Sequence, residues 1–120
     1  MNIQPGDIYW YAPPTNGPAA CIPHPYVIIR LSGDDSVHAS TVTACGITSN
    51  MKKAFWPGNV LLEKNEGNLI KKSIVDVSQT AVMGLSELGE YIGTLSKDRM
   101  LEVFSGIKFV ESLQTQRKKI

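Results

Sequence analysis

Cysteine and histidine are scarce in this 120-residue chain, with two of each, Cys21, Cys45, His24 and His38. Cys21 and Cys45 form no C-x-x-C pair, so a disulfide scaffold is not expected and two reduced thiols are. No run approaches the ~20 apolar residues of a membrane-spanning helix. Met1 to Trp10 has neither a basic nor an apolar region, so no secretory signal is expected and the protein reads as cytoplasmic. Strong charge of either sign is also missing. Twelve Lys and Arg stand against eleven Asp and Glu, a net charge of +1, which excludes histone-like and acidic-tail classes. There is no G-x-x-x-x-G-K or G-x-G-x-x-G phosphate loop, no G-x-S-x-G elbow, no internal repeat and no low-complexity tract.

What is present suits one domain over residues 1–120. With 42% hydrophobic residues, a chain of this length buries roughly 65% of its unfolded surface, enough for a core without staples. Residues 115–120 read as a frayed basic tail. Charge is uneven: up to Asn50 the only basic residue is Arg30, against Asp7, Asp34 and Asp35. Lys52-Lys53, Lys71-Lys72 and Arg117-Lys118-Lys119 follow, which suits a polyanion contacted from one side or merely a solvated surface.

Ile8 to Tyr11 has strand chemistry. Ala12 to Pro25 holds five of the seven prolines and has no periodicity, so it reads as a long loop and a candidate site wall. Tyr26 to Leu31 reads as a strand with Val27, Ile29 and Leu31 on one face and Tyr26, Ile28 and Arg30 on the other. A third strand is expected from Val37 to Ala44, a break at Gly46 to Asn50, a loop from Lys52 to Asn59, and a strand from Val60 to Leu62. Then come a turn at Asn65 to Asn68, a strand from Ser73 to Val77 and at most two helical turns over Ser86 to Glu90. Met100, Leu101, Phe104, Ile107, Val110 and Leu113 recur at three- and four-residue spacing, predicting an amphipathic helix. Ser96 fits its N-cap, Asp98 its first turn, and Leu95 with Met100 the hydrophobic staple; Gly106 weakens it. Short strands with one terminal helix predict a small antiparallel sheet or barrel, mainly β, carrying the helix on its surface.

Cys21-x-x-His24 has a zinc-knuckle spacing, but His38-x6-Cys45 does not, and in an unbroken strand positions 38 and 45 face opposite sides. No metal and no other cofactor is therefore expected. His24, between Pro23 and Pro25 just before a strand, is either a surface histidine or an imidazole held at the sheet rim. Thr48 and Ser49 offer hydroxyls and turn N–H groups for a phosphate oxygen, or make an ordinary turn. In the Asn50 to Gly58 segment, Lys52 and Lys53 can neutralise phosphates while Phe55 and Trp56 can stack bases. Phe55 or Trp56 anchoring the loop onto the core explains that segment equally well.

Six pieces occur in an order that resembles the PemK/MazF-like toxins of toxin–antitoxin modules. They are Gly6-Asp7-Ile8-Tyr9-Trp10, Thr15-Asn16-Gly17, His24-Pro25-Tyr26-Val27-Ile28-Ile29, Gly46-Ile47-Thr48-Ser49, Ser73-Ile74-Val75-Asp76-Val77-Ser78-Gln79 and Ile92-Gly93-Thr94-Leu95-Ser96. The resemblance implies an SH3-like antiparallel barrel of the CcdB/MazF type and a homodimer. It also implies a metal-independent endoribonuclease that cuts single-stranded RNA selectively and is neutralised by a cognate antitoxin peptide. It places His24 where the family has a reactive arginine, and Thr48 on the Thr of its Thr-Ser turn, as catalytic residues. Thr15, Asn16, Ser49, Asn50, Lys52, Lys53 and Gln79 are the expected RNA contacts. Ser78 and Ala81 depart from an acidic residue and an arginine usual in the family. Such replacements point to a rival function, a toxin-fold binding module without catalysis or a CcdB-like gyrase poison.

Overall fold

The computed structural model describes residues 2–11, 24–32 and 40–117. Six antiparallel strands make one sheet: β1 (Asp7–Tyr11), β2 (Pro25–Leu31), β3 (Thr41–Thr48), β4 (Val60–Leu62), β5 (Ser73–Gly84) and β6 (Leu88–Thr94), in the order β4-β5-β3-β2-β1-β6. The ladder is not closed, so the expected barrel is an open sheet as far as strand pairing goes. The two edges still meet. The 3₁₀ turn Glu66–Asn68, which follows β4, lies against β6, where Asn68 Nδ2 donates to Ile92 O at 3.0 Å. That contact covers an edge strand that would otherwise present unpaired backbone groups.

Both faces of the sheet are apolar. On one, Ile8, Val27, Cys45, Ile47, Leu62 and Val75 pack with Met100 and Val103 of the terminal helix α1 (Lys97–Arg117). On the other, Tyr9, Ile28, Val42, Ala44 and Met83 form a second cluster. Leu31 belongs to this second cluster, not with Val27 and Ile29 as strict alternation predicts. The pairing explains it: Ile28 opposes Ala44 and Arg30 opposes Thr43, so one extra residue on β2 shifts the side-chain parity.

Four expected boundaries change. Residues 115–117, expected in a frayed tail, are the last residues of the terminal helix Lys97–Arg117. β3 does not break at Gly46 but runs to Thr48, and residues 37–39 lie outside the described set. β5 continues past Val77 to Gly84, interrupted by a bulge: Cys45 pairs with Thr80 but the next residue, Gly46, pairs with Asp76. Val77, Ser78 and Gln79 thus have no partner on β3, which scrambles the alternation a strand is read from. The expected helical turns near Ser86 are a 3₁₀ turn, Leu85–Glu87, followed by β6, an edge strand with two register shifts against β1 and exposed Glu90 and Tyr91.

Helix α1 starts as expected. Ser96 Oγ accepts from Arg99 N at 3.1 Å, and Leu95 and Met100 are both buried. Val103, Phe104, Ile107 and Val110 face the core, whereas Leu101 and Leu113 lie outside it. Gly106 has a packing reason: the backbone of Gly58 crosses the helix there, and a Cβ at Gly106 would overlap the Gly58 carbonyl. Arg99 ties the helix to the edge-closing turn, its guanidinium donating to Glu66 at 2.8 and 2.6 Å. These bonds hold the Glu66 carboxyl below its usual range.

Candidate functional site

The β3–β5 bulge builds the site. By pairing Gly46 with Asp76 it brings Asp76, Ser78 and Gln79 beside the end of β3, and Gly46 keeps the floor open. A Cβ there would stand 3.2 Å from Gln79 Cβ and 3.6 Å from the Tyr26 ring. The result is a cavity of about 250 Å³ lined by His24, Tyr26, Thr48, Lys53, Asp76 and Gln79, with Gly46 and Ile47. A second cavity of about 410 Å³ shares His24, Ile47 and Thr48 with it and extends past Ser49 to Trp10, Ile70 and Lys71. Together they form one cleft with His24 and Thr48 at the junction.

Lys53 Nζ lies 3.0 Å from Asp76 Oδ2, and Asp76 is 1% exposed. Burial pushes the Asp76 carboxyl up. Hydrogen bonds from Ser78 Oγ at 2.6 Å, Lys53 Nζ and Ser78 N at 3.1 Å outweigh it, so the group is held below the usual carboxylate range. The cleft therefore contains a fixed carboxylate and, facing it, an ammonium with two further N–H donors to offer. The ammonium also lies 5.0 Å from the centroid of the Trp56 ring.

Lys53 is aimed by local structure. Asn50 caps the 3₁₀ turn Met51–Phe55 through Oδ1, which accepts from Lys52 N at 3.1 Å. Asn59 pins the turn to β5, donating from Nδ2 to Lys53 O at 3.0 Å and accepting at Oδ1 from Val77 N at 3.0 Å. Thr48 Oγ1 accepts from Asn50 N at 3.1 Å, which leaves its hydroxyl hydrogen available to a phosphate oxygen.

Of the residues singled out from sequence, His24, Thr48, Ser49, Lys53 and Gln79 line the cleft. Asn50 serves as a cap, and Lys52 is exposed on the same turn without lining either cavity. Thr15 and Asn16 lie outside the described residues, as do Cys21 and His38. Cys45 is buried in the core, and burial pushes its thiol up, which disfavours a metal-binding thiolate. Among the described residues no three His, Cys, Asp or Glu side chains come together as a metal site.

Sequence reasoning missed Asp76, Tyr26, Trp10 and Ile70 as site residues; Lys71, named only within a basic pair, lines the larger cavity. Asp76 carried a signal, a lone acid between valines in an apolar strand. It lies two residues before Ser78, which donates to it from N and Oγ. Ala81 opposes Ala44 and packs on the second cluster, so it takes no part in the cleft.

A family profile described as PemK-like, MazF-like toxin of type II toxin-antitoxin system matches residues 4–110. The chain belongs to that family. The matched span holds every strand, both cavities' linings and most of α1. Among PemK/MazF-like relatives, Endoribonuclease MazF2 of Mycobacterium bovis is 30% identical over 114 residues, covering 94% of this chain and all of the relative. Endoribonuclease MazF of Staphylococcus epidermidis is 30% identical over 102 residues, 84% of each chain. A solved mycobacterial endoribonuclease in complex with its cognate antitoxin shares the MazF-like fold at a TM-score of 0.72 and 18% identity. The match covers 93% of this chain and 97% of that one.

Proposed function

We propose that this chain is the toxin of a toxin–antitoxin module and a sequence-selective endoribonuclease that cuts single-stranded RNA without a metal ion. The observation that carries the reading is the convergence of His24, Thr48, Lys53 and Gln79 on one cleft inside the span matched to MazF-like toxins. Relatives named endoribonuclease along nearly the whole chain support the reaction class. Asp76 beside Lys53 offers a carboxylate next to Ser78, one of the replaced positions that favour a non-catalytic binding module.

In the proposed reaction a ribose 2′-oxygen attacks the adjacent phosphorus and the bond from phosphorus to the 5′-oxygen breaks. The products are a 2′,3′-cyclic phosphate and a 5′-hydroxyl. His24 takes the 2′-OH proton as general base, the departing 5′-oxygen takes a proton from a solvent water, and the imidazolium returns its proton to the hydroxide left behind, so the step balances. Charge grows on the phosphate oxygens, where the Lys53 ammonium and the Thr48 hydroxyl stabilise it. Asp76 holds Lys53 in place. The cation needed at the phosphate is thus supplied by the chain, which supports metal independence.

Selectivity is supported by the larger cavity, whose Trp10 and Ile70 walls suit a nucleobase beside the scissile phosphate. An antitoxin peptide as inhibitor is supported by the antitoxin complex of a structural neighbour. A homodimer fits Leu101 and Phe109, which leave apolar surface exposed on α1. The test is incubation of the purified protein with a long RNA in EDTA. Discrete fragments ending in a cyclic phosphate are expected; RNA that stays intact in EDTA and is cut only after divalent metal is added overturns metal independence. RNA intact under both conditions overturns the reading.

A further inference from the structure

The turn that delivers Lys53 to the cleft also displays Phe55, and core packing explains neither the position nor the residue. Phe55 is 95% exposed, and no residue of Met51–Phe55 is buried. Of the two roles open to the segment from sequence, anchoring is thus excluded for Phe55, while the neighbouring Trp56 is half-exposed at 50%. The turn is nonetheless held in place. Asn50 caps it, Asn59 bonds it to β5, and Lys53 fixes it to Asp76. A phenyl ring held in water on a braced turn is a preformed face.

Its surroundings select the occupant. Lys52 is exposed on the same turn and makes no ion pair with the described residues, while Lys53 lies over the Trp56 ring. Cations beside aromatic faces, next to the cleft proposed above to take the scissile phosphate, match a single-stranded polyanion whose bases stack on rings. We infer that Phe55 is a stacking platform for an RNA base flanking the cleavage site, with Lys52 contacting the phosphate of that nucleotide. The inference rests on the endoribonuclease reading in taking single-stranded RNA as the occupant. Phe55 is a positioning residue, because it reaches no reacting atom.

The test uses a fluorescein-labelled single-stranded RNA pool of mixed sequence with every sugar 2′-O-methylated. Such RNA cannot be cut, because its 2′-oxygen cannot attack. Binding by fluorescence anisotropy is expected to weaken about tenfold in Phe55→Ala, within the range of one lost base stack, and to hold in Phe55→Trp. Lys52→Ala is expected to lower the slope of log affinity against log salt by about one. Thermal melting checks that each variant folds. Equal affinity in wild type and Phe55→Ala overturns the inference, as does a wild type that binds no RNA. A Phe55→Ala variant that binds RNA normally but changes its sedimentation mass assigns the ring to a protein contact and overturns it too. Cleavage of unmodified RNA is scored separately: loss of affinity in Phe55→Ala alongside a wild type that never cuts keeps the platform and removes the enzymatic reading.

Discussion

Lys53→Met tests the charge pair at the centre of the cleft. The substitution keeps the length of the stem and removes the ammonium 3.0 Å from an Asp76 side chain that is 2% exposed. Removing one partner of a buried pair costs about 3–5 kcal/mol, because the other charge stays behind without compensation. Ser78 still donates two hydrogen bonds to Asp76 Oδ1, which puts the cost at the low end, about 3 kcal/mol. For a chain of this length that corresponds to a Tm lower by about 12 °C at neutral pH. The pH dependence has a definite sign. In the wild type the folded carboxyl is held below its unfolded range, so its stabilisation is present at neutral pH and fades as pH falls through the folded value. In Lys53→Met burial acts against fewer bonds and the folded carboxyl titrates higher, so acid protonates it and relieves the penalty. Melting followed by circular dichroism should show the gap between variant and wild type narrowing below about pH 4. The double variant Lys53→Met with Asp76→Asn should recover to within about 1 kcal/mol of wild type. A Tm change under about 3 °C for the single variant at neutral pH refutes the idea that Asp76 depends on Lys53.

Thr48→Ala should slow RNA cleavage by roughly 10²-fold or more with little change in Tm, since it removes one donor at the phosphate; an equally active variant removes Thr48 from the site. His24→Arg should abolish cleavage at about pH 6 and about pH 8 alike, because a guanidinium cannot act as general base. Faster cleavage of that variant at the higher pH would assign position 24 a charge role instead, and unchanged rates in both His24→Arg and His24→Ala refute its place in the mechanism. Gly106→Ala should destabilise the fold by about 2 kcal/mol despite the higher helix propensity of alanine, as the added methyl meets the Gly58 carbonyl; a stabilised variant in urea denaturation refutes that packing.

The pattern of the chain alone determined where several elements lie. Helix α1 was legible from its N-cap, staple and apolar spacing, and β1, β2 and β4 from β-branched and aromatic runs. The order of short motifs was enough to indicate the family, and through it to single out His24 and Thr48, which both line the cleft. Only the tertiary structure decided what the bulges do. One extra residue on β2 moved Leu31 to the other face, and the unpaired stretch of β5 both hid that strand's continuation and swung Asp76 into the cleft. No local signal encodes such a shift, because a bulge is fixed by how two strands distant in sequence register against each other. The same holds for Gly106, which reads as a weak point in a helix and is the place where the chain near Gly58 crosses it. It holds also for Phe55, whose exposure depends on where Asn59 and Asp76 pin its turn and not on the residues beside it.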